Sequence, residues 1–133
     1  MDWEPLIRAA SDARRRAHAP YSGFRVGAAV ATAGGATFTG CNVENRSYGA
    51  TVCAERVALA SAVAAGDATP VAIVVVTDAS PPSPPCGLCL QVLSEFAAPG
   101  LPVLLVNPRG ESRELRLEDL LPHPFELPDD GSS

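Results

Sequence analysis

No long hydrophobic run occurs in this chain. The longest, residues 71–76, falls far short of the roughly 18 to 20 apolar residues a membrane span requires, so no membrane role is expected. Positive charge is also scarce: 10 Lys plus Arg against 15 Asp plus Glu leave a net charge of −5. The one basic cluster, Arg14-Arg15-Arg16, reads as a solvated helix face rather than a stripe that neutralises phosphates. Aromatic residues make up only 5%, and no basic segment is interleaved with them as a single-strand-binding groove would be. Nucleic acid is therefore not expected as a partner, and a free small molecule suits this surface better. Residues 1–17 carry Asp2, Glu4, Arg8, Asp12, Arg14, Arg15 and Arg16, which leaves no uninterrupted apolar segment for a secretory signal. A cytoplasmic location is expected.

What is present suits one compact domain. The chain has 133 residues, 47% of them apolar, enough for one sizeable core. The domain is expected over residues 1–128, with a disordered tail over 129–133 that includes Asp129 and Asp130. Trp3, Leu6, Ile7, Ala10, Ala13 and Ala17 recur at helical spacing and predict an amphipathic helix ending before Ala19-Pro20. Residues 24–32 and 36–43 read as two strands joined through Gly34-Gly35, a hairpin turn. From Cys53 an alanine-rich helix runs to a glycine cap at Gly66. The β-branched stretch 71–76 reads as a central strand covered on both faces. Ser80-Pro81-Pro82-Ser83-Pro84-Pro85 is a stiff surface loop, because proline gives no amide proton to a ladder. A third helix over 86–97, a strand over 102–106 and an edge strand over 114–117 complete an α/β layered sheet.

The chemistry lies in the cysteines. Four of them would allow two disulfides, but a reducing compartment and the Cys86-x-x-Cys89 spacing favour a metal. Cys53, Cys86 and Cys89 provide three thiolates. A structural zinc site closes all four tetrahedral positions with protein ligands, whereas a catalytic site leaves one to water. Glu55, two residues after Cys53, is then the carboxylate available to move that water's protons. Cys86 and Cys89 share one face of the third helix at its start. Cys53 opens the second helix, so two positive helix ends converge and lower the thiol pKa values. Three thiolates on Zn²⁺ carry net negative charge. Arg56 is either the guanidinium that offsets it by donating to a ligand sulfur or a plain surface arginine. A non-enzymatic zinc module, with Cys41 as fourth ligand, is the bland alternative.

A Cys-x-Glu element followed by Pro-Cys-x-x-Cys is the known signature of zinc-dependent base deaminases. The wider pattern, Ala19-Pro20-Tyr21-Ser22-Gly23-Phe24-Arg25-Val26-Gly27-Ala28, Gly40-Cys41-Asn42-Val43-Glu44-Asn45, Cys53-Ala54-Glu55-Arg56 and Pro85-Cys86-Gly87-Leu88-Cys89, resembles the small cytidine deaminases over nearly the whole chain. That resemblance implies a three-layer α-β-α fold with a mixed five-stranded sheet, one Zn²⁺ per chain on Cys53, Cys86 and Cys89, and Glu55 as proton shuttle. It implies deamination of cytidine and deoxycytidine in pyrimidine salvage. Asn42 and Glu44, which alternate with Val43 along a strand, are implied to hold the ribose 3′-hydroxyl, and the backbone of Ala54 to meet the base. Phe24 is implied to pack against the nucleoside and Phe125 to cover the pyrimidine, though either could be ordinary core. A homotetramer with shared active sites is implied, with Tyr48 contributing between subunits. The blasticidin deaminases share the zinc motifs but lack the Asn-x-Glu-Asn element. The chain departs from the family at Leu90, where an arginine is common; with Arg56 alone to offset the thiolates, a pH optimum moved upward is expected.

Overall fold

The structure is a computed structural model and describes residues 1–128; the expected tail over 129–133 lies outside the described residues. The β-branched stretch forms β3 (Pro70–Val76) at the middle of a five-stranded sheet. β1 (Gly27–Thr32) pairs antiparallel with both β3 and β2 (Thr37–Cys41). β4 (Pro102–Val106) pairs parallel with β3, and β5 (Ser112–Arg116) closes the far edge antiparallel to β4. The order β2-β1-β3-β4-β5 is the mixed sheet expected.

Strand alternation divides the core into two layers. On one face Ala29, Val74, Val76, Leu104 and Val106 pack beneath Leu6 and Ala10 of α1 (Glu4–Arg14). On the other, Ala28, Val30, Ile73, Val75, Val103 and Leu105 meet Ala54, Ala58 and Leu59 of α2 (Ala54–Ala64). Leu90 and Leu93 of α3 (Gly87–Phe96) and Leu117 of α4 (Leu117–Leu120) complete that layer. Helices on both faces explain why β3 is apolar without alternation. Among the described residues, no helix is long and apolar enough to cross a membrane.

Two glycines set how closely the helices lie. A Cβ on Gly27 would stand 2.0 Å from the Ala10 carbonyl oxygen of α1, and one on Gly40 would stand 2.4 Å from the Ala54 carbonyl oxygen of α2. The hairpin turn and the α2 cap also follow the expected pattern, with positive φ at Gly35 and Gly66.

Several boundaries differ from the sequence reading. α1 ends at Arg14, and Arg15, Arg16 and Ala17 continue as tight turns that donate to the carbonyls three residues back. β1 starts at Gly27 because the Asn42 side chain replaces the ladder ahead of it: Asn42 Oδ1 accepts from Val26 N–H (2.9 Å) and Nδ2 donates to Phe24 C=O (2.7 Å). β5 is displaced towards the N-terminus relative to the expected 114–117, because Leu117 begins α4. That helix was not anticipated; Arg116 N–H donates to Asp119 Oδ2 (2.8 Å) at its start.

Candidate active site

The site grows from two helix starts. Cys53 caps the N-terminus of α2 with extended backbone (φ −75°, ψ 154°), and Cys86 does the same for α3 (φ −69°, ψ 167°). Cys86 therefore stands just ahead of α3 rather than in it, while Cys89 is buried in the first turn. All three sulfurs lie within 4.8 Å of one another. Cys53 Sγ is 3.8 Å from Cys86 Sγ, which is 3.5 Å from Cys89 Sγ. Tetrahedral zinc with Zn–S bonds of about 2.3 Å sets its sulfurs roughly 3.8 Å apart, so the donor set fits that ion in both type and spacing. Cys41, the alternative fourth ligand, does not join this cluster.

Electrostatics at the cluster are uneven. The Cys53 thiol is lowered to about 5, chiefly by a hydrogen bond from Cys89 and further by the Arg56 guanidinium. Cys89 is raised, through its interaction with the Cys53 sulfur and by its own desolvation. Arg56 Nη2 lies 3.6 Å from Cys53 Sγ and 3.4 Å from the Thr51 carbonyl oxygen. Its Nε is buried and has no hydrogen-bond partner among the described residues. The guanidinium thus faces the thiolates rather than open solvent, one of the two readings left open by the sequence.

Glu55 occupies the first turn of α2 and is 5% exposed. Burial pushes its carboxyl up to about 7, with the charge on Cys53 adding to the effect. A carboxyl with that pKa exchanges protons near neutral pH, the property a general acid–base needs. Cys53 and Glu55 can both turn inward because Cys53 is not yet helical, as the two-residue spacing required. Ala54 between them is fully buried.

A second group of expected residues lies alongside. Isolated antiparallel pairing of Val43 with Val52 brings the segment bearing Asn42 and Glu44 next to the segment leading into Cys53. These two side chains share a direction, both reaching the 21–26 segment. Asn42 binds the backbone of Phe24 and Val26, while Glu44 Oε1 accepts from the N–H groups of Tyr21 (3.0 Å) and Ser22 (3.1 Å). The Ser22 hydroxyl also donates to Glu44 Oε2, which holds the carboxyl below its usual range. Phe24 is half-exposed. Tyr48 is 78% exposed in a short 3₁₀ turn (Tyr48–Ala50) and meets Tyr21 edge to face at 6.1 Å.

Phe125 does not join either group. Its backbone is held on α3 by Gln91, which donates Nε2–H to the Phe125 carbonyl (2.9 Å) and accepts its N–H (3.0 Å), while the residue remains 70% exposed. Leu90 turns away from the sulfurs into the core beside Leu93, so this position contributes packing. Sequence reasoning missed Ser22 and Gln91, because a hydrogen-bond partner 22 or 34 residues distant leaves no local pattern.

The cytidine and deoxycytidylate deaminase zinc-binding region family matches residues 2–105. A cytidine deaminase from Halalkalibacterium halodurans is 45% identical over 129 residues, 97% of this chain and 98% of that protein. One from Mycobacterium tuberculosis is 41% identical, with 97% and 93% covered. The crystal structure of cytidine deaminase from Burkholderia pseudomallei superposes with a TM-score of 0.90 at 50% identity, covering 94% of this chain and all of the other. The corresponding Mycobacterium tuberculosis structure gives 0.81 at 40% identity, covering 96% of this chain and 99% of that one. With the cysteine cluster and the fold both in place, these similarities show that the chain belongs to the cytidine and deoxycytidylate deaminase family.

Proposed function

We propose that the protein carries out zinc-dependent hydrolytic deamination of cytidine and 2′-deoxycytidine, giving uridine and 2′-deoxyuridine plus ammonia, in pyrimidine salvage. The observation that carries this reading is a buried carboxyl, Glu55, beside three sulfurs gathered at two helix starts. Cys53, Cys86 and Cys89 hold one Zn²⁺, which when bound supplies the Lewis acid that makes water a nucleophile at neutral pH. Glu55 accepts a proton from the attacking water and delivers it to N3 of the cytosine, so that C4 becomes electrophilic. After attack at C4, Glu55 takes the remaining proton from the new C4 hydroxyl and passes it to the amino group; the C4–N bond breaks, ammonia leaves and C4 becomes the carbonyl of uridine. Arg56 offsets the thiolate charge through Cys53.

The backbone of Ala54 contacts the base, Asn42 and Glu44 bind the 3′-hydroxyl, and Phe24 packs against the nucleoside. Tyr48 and Phe125 act between subunits of a homotetramer; their exposure of 78% and 70% supports that role. Residues 1–128 form the catalytic domain.

The test follows ultraviolet absorbance while zinc-quantified protein meets cytidine and deoxycytidine in parallel. Glu55→Gln and Glu55→Ala are expected to keep zinc and to lose about 10²–10⁴-fold in turnover or more. Wild-type turnover preserved in either variant would defeat the assignment. A zinc-bearing wild type silent on both nucleosides would redirect the reading to other or modified cytosine nucleosides.

A further inference from the structure

The proline-rich segment that leads into Cys86 has no part in the chemistry above. Its near end is clasped by the turn between β4 and β5. Asn107, 1% exposed, uses its full hydrogen-bonding capacity there. Nδ2 donates to the Ala79 carbonyl (3.1 Å) and to Glu111 Oε1 (3.0 Å), and Oδ1 accepts from the N–H groups of Arg109 and Glu111 (both 3.1 Å). Glu111 Oε1 also accepts from the Ser80 hydroxyl (2.7 Å). Arg109 donates to Asp78 Oδ1 (3.1 Å) and to the Asp78 carbonyl (2.8 Å). Residues 78–80 are therefore bonded, one after another, to a single β-turn.

Between that anchor and Cys86 stand Pro81, Pro82, Ser83, Pro84 and Pro85. Four of the five have φ set by the ring, and Pro82 and Pro85 are buried. With φ fixed at four of the five positions, the segment keeps few torsions through which a displacement at Ser80 could be absorbed before Cys86. Cys86 is the ligand that most depends on such support. Cys89 is buried within α3, and Cys53 is flanked by the Val43–Val52 pairing and contacted by Arg56, whereas Cys86 is exposed and non-helical.

We propose that Asn107, Glu111 and Ser80 are positioning residues for the metal site, acting through the proline strut to hold Cys86 where it completes the three-sulfur set. This rests on the reading of Cys86 as a zinc ligand. It assigns the strut a role in metal retention rather than in substrate contact.

The experiment measures zinc release from the zinc-loaded protein to a chromophoric chelator, alongside thermal unfolding. Ser80→Ala and Glu111→Ala remove solvent-accessible partners of the clasp; Glu111→Ala takes one acceptor from Asn107 Nδ2, but Asn107 keeps its bonds to the Ala79 carbonyl and to the N–H groups of residues 109 and 111, so both variants are expected to fold. The control is Thr32→Val, which breaks the bond from Thr32 Oγ1 to Asp67 (2.5 Å) where β1 meets the start of β3, at the other end of the sheet. The two clasp variants are expected to release zinc on the order of tenfold faster, the lower end of what outer-sphere partners contribute. Glu111→Gln, which keeps Oε1 as an acceptor, is expected to restore slow release. Wild-type release rates in both clasp variants would overturn the proposal, as would equal acceleration in Thr32→Val at matched thermal stability. A wild-type protein that takes up no zinc would overturn the metal reading and the strut with it, whereas tight zinc in every variant overturns the strut alone.

Discussion

Asn42 shows how one side chain can serve fold and site together. Its amide bonds the backbone of Phe24 and Val26, so the residue proposed to hold a sugar hydroxyl also holds the segment proposed to pack against the nucleoside. Asn42→Ala would leave those backbone groups partly buried and unpaired, a loss of about 1–3 kcal/mol in stability by urea unfolding. Because Phe24 is released at the same time, KM for cytidine is expected to rise in the folded variant. Glu44 can be tested by pH. Its carboxyl lies below the ordinary range, first through the Ser22 hydroxyl, so the folded state binds its proton less readily than the unfolded chain. Its contribution is therefore full above the unfolded pKa and lost as pH falls through the lowered folded value. A loss of sugar binding through this carboxyl, read as a rise in KM for cytidine, is expected only below the ordinary carboxylate range, and Ser22→Ala is expected to move it to higher pH. At this scale the gathering of Cys53, Cys86 and Cys89 was legible, since a metal-ligand reading needs those types at short spacings. The roles of Ser22 and Gln91 were not, because their partners are fixed only by tertiary folding.

Two glycines separate what the helices do. Gly40→Ala would drive a methyl into the backbone of α2, 2.4 Å from the Ala54 oxygen and 2.5 Å from the Ala58 nitrogen, where the helix carries Cys53 and Glu55 at its start. Gly27→Ala would do the same to α1, 2.0 Å from the Ala10 oxygen, but α1 carries no proposed site residue. Both are expected to destabilise by about 1–3 kcal/mol or more, as overpacking does. Only Gly40→Ala is expected to weaken zinc binding in the fraction that remains folded. Calorimetry paired with zinc titration distinguishes them, and equal zinc affinity in the two variants would argue against α2 as the element that positions the site. The sequence announced α2, β3 and the hairpin because apolar periodicity and glycine punctuation are local signals. It concealed the start of β1, where the amide of Asn42 replaces the ladder, and α4, whose four residues are too few to show a period.

For the whole molecule, the outer side of α2 and α3 poses a problem that one chain does not solve. Val52, Arg56, Ala60, Val63, Val92 and Phe96 line one largely apolar groove there, with Val63 41% and Phe96 37% exposed. A helix apolar on more than one side is ordinarily covered on more than one side, and the sheet covers only the inner side of α2. The proposed homotetramer would supply the second cover, and it would also bring Tyr48 and Phe125 of one chain to another chain's site. Alanine-rich α2 was legible as a tightly packed helix, yet how many surfaces it packs against is a property of the assembly and left no separate mark in the sequence. Val63→Glu would place a charge in the groove, where desolvating it under a second chain is costly. The variant is expected to sediment as a smaller species, to keep its zinc, and to lose nucleoside turnover because the intersubunit residues are withdrawn. Zinc retention distinguishes that outcome from simple unfolding, since the three sulfurs come from a single chain. A dissociated variant with wild-type kcat/KM would show that each chain completes its own site, and Phe125 would then have to be explained as a side chain anchored on α3 for another purpose.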